Sequence, residues 1–250
     1  MPKLQLIRDS FPEEPALDAA VSHALLERVA AGGLPETLRL ARPGAAVAFG
    51  KLDAVAPGYA DAVRVARERG LEPVLRLGGG RAAVYHEGTI VTAHARPDRD
   101  PRSGIRVRFE QEAGVVARAL RGLGVDARVG EVPGEYCPGG YSVNARGRVK
   151  LAGLGQRVVA GGAHVGAVIV VDGADRVRES LLPVYAALGL DWDPATAGAV
   201  REEAPGVGVD DVVGALRAAY AEDRELVDSR IDDDTLALAR RLVPEHRATG

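Results

Sequence analysis

Short β-forming runs arrive along this chain in neighbouring groups, with amphipathic helical stretches between the groups rather than after each strand. That order disfavours strict βαβ alternation and restricts the chain to an α+β architecture. Residues 14–31 carry apolar positions at helical spacing and end at Gly32-Gly33, a helix stop. Residues 37–41 and 45–49 are extended and joined by Arg42-Pro43-Gly44, which predicts a hairpin. A short helix over 59–69 precedes a strand at 73–77, and further strands are predicted at 82–85 and 89–95. A helix over 105–123, an extended 125–132, a hairpin 141–144/149–152 and a buried strand 164–171 follow. From Arg176 on, the pattern is helical, over 176–188, 209–221 and 232–242. The chain is therefore expected as a single domain over 1–250, with the helices from about residue 191 forming a cap.

Composition narrows the function classes. The 250 residues carry a net charge of -3, which argues against a general nucleic-acid binder. The amino terminus is charged and has no apolar signal region. The longest apolar run, Val165 to Val171, is far below the ~20 residues a membrane span requires. A cytoplasmic protein with no membrane contact is expected. The single cysteine excludes an internal disulfide and makes a structural zinc site untenable. The five histidines show no metal spacing, so no metal site is assigned.

Three segments carry the candidate chemistry. Cys137 lies in Gly134-Glu135-Tyr136-Cys137-Pro138-Gly139-Gly140, an irregular loop of the kind that hosts function on a rigid scaffold. A cysteine nucleophile needs a cation to favour its thiolate. Lys150 follows thirteen residues later, across the predicted hairpin, and is one of only three lysines in an arginine-rich chain. The third segment, Arg76-Leu77-Gly78-Gly79-Gly80-Arg81, runs from a strand through three glycines, whose amides can face an oxyanion or phosphate. No helix opens on it, so it is not a dinucleotide fingerprint.

Taken together, Arg76 to Gly80 followed by Ala83-Val84-Tyr85-His86, and Lys150-Leu151-Ala152-Gly153 continuing to Gln156, resemble the motifs of the biotin/lipoate protein ligase and octanoyltransferase superfamily. Tyr136-Cys137-Pro138-Gly139 ahead of the lysine is similar to the octanoyl-[glycine cleavage H protein]:protein N-octanoyltransferases within it. Leu77 stands where that superfamily usually has serine, and Ser142-Val143-Asn144 where Asp-Leu-Ser is usual. The resemblance implies a biotin/lipoate ligase-like domain with mixed and antiparallel sheets flanked by helices. It implies Cys137 as nucleophile through a thioester and Lys150 as the group that contacts and polarises the acyl carbonyl. Arg76, Gly78, Gly79, Gly80, His86 and Gly153 are implied in substrate binding. The implied partners are the octanoyl or lipoyl group, the glycine cleavage H protein and lipoyl domains of 2-oxoacid dehydrogenases. No cofactor is expected on the transferase reading. An ATP-dependent lipoate–protein ligase, needing ATP and Mg2+, is the first alternative, and a non-catalytic acyl-carrier-binding protein the second.

Overall fold

A computed structural model describes all 250 residues. The elements run, in order, β1 (Lys3–Ile7), α1 (Pro15–Ala30), β2 (Thr37–Ala41), β3 (Ala46–Phe49), α2 (Lys51–Ala54) and α3 (Tyr59–Glu68). Next come β4 (Glu72–Leu75), β5 (Ala83–Tyr85), β6 (Thr89–Pro97), α4 (Ile105–Gly122), β7 (Ala127–Val129), β8 (Val143–Ala145) and β9 (Val149–Val159). The chain ends with β10 (Gly162–Val170), α5 (Ala174–Leu188), α6 (Val200–Glu203), α7 (Val209–Ala221), β11 (Glu225–Ser229) and α8 (Asp233–His246).

Eight strands form one mixed sheet in the order β11-β1-β2-β6-β10-β9-β8-β7, and β4-β3-β5 form a second, small sheet. The two pairings of β1, with β11 and with β2, are the parallel ones in the large sheet; from β2 to β7 every pairing is antiparallel. The central strands β6 and β10 pair over nine residues, and β10 reads Gly-Ala-His-Val-Gly-Ala-Val-Ile-Val, buried along almost its whole length. A strand apolar on both faces needs cover on both. The cover comes from α4 and α7 in one core, with Val116, Leu120, Val212 and Leu216 against Leu38, Leu151 and Ile169. On the other side α1 packs with α8 through Leu17, Val21, Leu25 and Leu242. The small sheet closes its own core with α3 and α5, around Phe49, Val63, Val84 and Leu181.

The expected hairpin across Arg42-Pro43-Gly44 does not form. β2 pairs with β1 and β6 in the large sheet, while β3 pairs with β4 and β5 in the small one. The turn therefore carries the chain between sheets. The segment from about residue 191, expected as a helical cap, does more than cover. β11, missed in the sequence, extends the large sheet in parallel beside β1, and the tail bridges β4 through Val74 and Arg247. No helix is long and apolar enough to cross a membrane.

Candidate active site

The site forms where the loop after β4, the loop before β8 and the start of β9 meet. Cys137 adopts φ 44°, in the left-handed region that a side-chain-bearing residue seldom occupies. Such backbone persists only where surrounding contacts fix it. Here the Cys137 N–H donates to Tyr185 Oη at 2.9 Å, and Tyr185 Oη donates in turn to the Ala82 carbonyl at 3.0 Å. Tyr136, the preceding residue, is buried edge-on against Trp192.

The thiol is half-buried, and Sγ accepts from the Arg81 backbone N–H at 3.1 Å and from Arg76 Nη2 at 3.4 Å. Burial raises the thiol's pKa, but Arg76, Lys150 and the Arg81 amide together outweigh it and hold Cys137 below its ordinary value. Arg76 is anchored by a second bond from Nη2 to the Arg81 carbonyl, 2.8 Å. Glycine is required at position 80. Its φ is +100°, and a Cβ there would strike the Arg76 guanidinium and lie 2.8 Å from Sγ.

Lys150 is 1% exposed, and its ammonium is saturated. Nζ donates to Glu135 Oε1 at 2.9 Å, the Tyr136 carbonyl at 2.9 Å and the Cys137 carbonyl at 2.7 Å. All three donors of a lysine are thus spent on the cysteine loop. Lys150 acts on Cys137 through its charge and its grip on the backbone, and it faces neither of the cavities described next.

Sequence reasoning missed the counter-ion, Glu135. Its side chain is buried, and it accepts from the Val132 and Gly139 N–H groups, from Ser142 Oγ at 2.5 Å and from Lys150. A carboxylate two residues before the cysteine was the available signal. What gives it meaning is Lys150 arriving from another strand.

Cys137 opens on a cavity of ≈ 380 Å³ whose wall includes Gly79, Gly80, Ile105, Phe109, Tyr141 and Leu154. A second cavity of ≈ 60 Å³ lies on the other side of Gly155, where Arg76, Gly78, Gly153 and His164 line it. Gly78 packs on the Gly155 backbone between the two, leaving a Cβ only 3.1 Å from it. Of the residues singled out in the sequence, Arg76, Gly78, Gly79, Gly80, Gly153 and Cys137 line one or other cavity. His86 lines neither. Its Nδ1 accepts from the Gly88 N–H at 3.1 Å and its ring packs beside Gly173, so it closes the β5–β6 turn. His164 is buried in the smaller cavity with both ring nitrogens unpartnered. No three His, Cys, Asp or Glu side chains gather as for a metal ion.

The lipoyl protein ligase A/B catalytic domain matches residues 14–220. The chain belongs to that family. Among the family's relatives, the octanoyl-[GcvH]:protein N-octanoyltransferase of Geobacillus kaustophilus is 30% identical over 192 residues, 75% of this chain and 67% of that protein. The enzyme of that name in Exiguobacterium sibiricum is 34% identical over 59% of this chain but only 53% of its own length. The lipoyl-[GcvH]:protein N-lipoyltransferase of Listeria monocytogenes is 27% identical, over 70% of this chain and 64% of that one. The fold is that of solved lipoate–protein ligases. A putative one from T. acidophilum with bound lipoic acid superposes with TM-score 0.78 at 20% identity, covering 98% of this chain and 96% of that one. Lipoate-protein ligase A bound with ATP gives 0.79 at 21%, covering 98% and 95%.

Proposed function

We propose that this protein is an octanoyl- or lipoyl-protein N-acyltransferase that works through a thioester on Cys137. The observation that carries the reading is the thiol's setting: a cysteine on left-handed backbone, its sulfur accepting from the Arg76 guanidinium and the Arg81 amide, open to a cavity with apolar walls. A ligase that activates its acid with ATP has no use for such a thiolate. The family relatives are named for transfer between glycine cleavage H protein and other acceptor proteins, which agrees with it.

In this reaction the Cys137 thiolate attacks the acyl carbonyl of the donor's lysine amide, and the carbonyl π electrons move to oxygen. The intermediate collapses as the C–N bond breaks and the donor amine leaves with a proton from solvent. The acyl group is then on sulfur. The acceptor lysine, as free amine, attacks the thioester, and the thiolate leaves while the new amide nitrogen gives up its proton. Splitting one difficult exchange into two easier steps is the benefit of the covalent route. Once Sγ carries the acyl carbon, the Arg81 N–H and Arg76 Nη2 lie beside the bond where the oxyanion develops, and preorganised donors at that place stabilise it. Lys150 keeps the loop and its field in place. The acceptors in this reading are lipoyl domains, those of 2-oxoacid dehydrogenases included, and the place of action is the cytoplasm.

The test offers octanoylated H protein without ATP in one tube and free octanoate with ATP and Mg2+ in another, each with an unmodified lipoyl domain. Product in the first tube alone, with an octanoyl adduct on Cys137 by mass spectrometry, is expected. Product in the second alone overturns the reading in favour of a ligase.

A further inference from the structure

Behind Arg76, on the side away from the thiol cavity, lies a recess of ≈ 90 Å³ between α1, the start of α2, β9 and the end of α8. Its lining includes Lys51, Arg76 and Arg157 against the single carboxylate Glu245. None of the three cations has a carboxylate within ion-pair distance, although the arginines on this protein are otherwise widely paired. Arg76 Nε is buried without a partner, and Arg76 lines both this recess and the smaller cavity beside Gly155. Lys51 and Arg157, both without an ion-pair partner, converge with Arg76 on a recess that holds one carboxylate, and an anion would complete that arrangement.

The remaining wall is neutral and fixed. His246 Nδ1 lies 2.6 Å from the Leu75 carbonyl, which can only accept, so that nitrogen carries the hydrogen. His246 Nε2 therefore accepts, and takes the hydrogen of His23 Nδ1 across 3.1 Å. The imidazoles are tied to each other and to β4, and they do not neutralise the cations.

We propose that this recess binds a tetrahedral, phosphate-sized oxyanion, held by Lys51 and Arg157 and backed by Arg76. The volume equals about three water molecules, enough for one such ion and too little for a nucleotide. The excess of positive over negative side chains selects a dianion over a monocarboxylate. Arg76 also holds the Cys137 thiolate, so an anion seated behind it weakens that hold and makes the thiol a weaker acid.

The test is isothermal titration of the intact protein with inorganic phosphate, and separately with acetate, at constant ionic strength. One saturable phosphate site is expected, with acetate much weaker. Lys51→Ala and Arg157→Ala should each weaken phosphate about tenfold, and Arg148→Ala, an exposed arginine elsewhere, should not. Thermal melts of the variants confirm that they fold. Absence of saturation by about 10 mM phosphate overturns the proposal, as does equal affinity for acetate or indifference to both substitutions. Alkylation of Cys137 by iodoacetamide at fixed pH should slow as phosphate fills the site. None of these readouts depends on acyl transfer, so the site stands or falls apart from the catalytic reading.

Discussion

Replacing Glu135 by alanine is the perturbation on which the site geometry bears most directly. The carboxylate is buried and serves four donors, so its loss strands the Lys150 ammonium and frees Val132 N–H, Gly139 N–H and Ser142 Oγ. Removing one partner of a buried pair costs about 3–5 kcal/mol, because the remaining charge stays desolvated. Lys150 keeps two carbonyl acceptors, which argues for the lower half of that range. In a chain of this length each kcal/mol lowers Tm by about 2–4 °C, so a fall of roughly 6–16 °C is expected. Circular dichroism melts with parallel urea titrations measure it. The double variant Glu135→Ala with Lys150→Met removes both charges and should recover much of the loss, giving a coupling of several kcal/mol in a double-mutant cycle. A fall under about 2 °C in the single variant, or simple additivity in the cycle, would refute the claim that this pair organises the loop.

The geometry of the site and its surroundings sets other outcomes. Cys137→Ala should abolish acyl transfer while leaving Tm within a few degrees, since the loop is fixed by its backbone and by Glu135, as melts and a transfer assay will show. Lys150→Arg should cut turnover ~10²-fold or more, because a planar guanidinium cannot reproduce three bonds from one compact ammonium and the cysteine loop is misplaced. Arg76→Leu should move the pH midpoint of Cys137 alkylation upward, since it removes the largest force opposing burial; an unchanged midpoint would mean the thiolate is held otherwise. Burial pushes His164 down to about 4, so the folded form refuses a proton that the unfolded chain accepts near 6.5. Stability should therefore fall by on the order of 3 kcal/mol between pH 6.5 and 4 relative to His164→Leu, measured by urea titration across that range.

What the sequence carries of this fold is mostly what short-range pattern can carry. The helices at α1, α4, α5 and α7 and the strands around the glycine run lie close to where apolar spacing and stop residues put them. The failures have a common cause, since pairing is decided at long range. Arg42-Pro43-Gly44 is good hairpin chemistry, yet β2 finds better partners in β1 and β6, so the turn becomes a crossover. β11, Glu-Leu-Val-Asp-Ser, is an edge strand with charged residues facing water, and its composition hides it. At the site, Cys137 and Lys150 were visible as residue types in unusual surroundings. The distance between them, and the direction in which Lys150 points, depend on how β8 and β9 bring the loop onto β9, which no spacing rule encodes. Glu135 stood in view two residues before the cysteine, but its pairing with Lys150 is hidden for the same reason, and His86 turns away from both cavities because a motif position does not fix where a ring points.

The charges around the thiol explain why two cations are needed where one would favour ionisation. Lys150 is neutralised locally by Glu135, so its field alone is largely spent on holding the loop. Arg76 has no carboxylate partner, and the sulfur is the acceptor its Nη2 shares with the Arg81 carbonyl. With the thiol protonated the site carries an unbalanced positive charge, and ionisation of Cys137 balances it. In the proposed reaction, acylation would discharge the sulfur and leave Arg76 and the Arg81 amide without their anion, at the moment when the next attack creates a new one on the carbonyl oxygen. On that proposal the same two donors would serve thiolate and oxyanion in alternation. A paired Arg76 would lose that property, and this gives a physical reason for a buried arginine to remain without a carboxylate beside it.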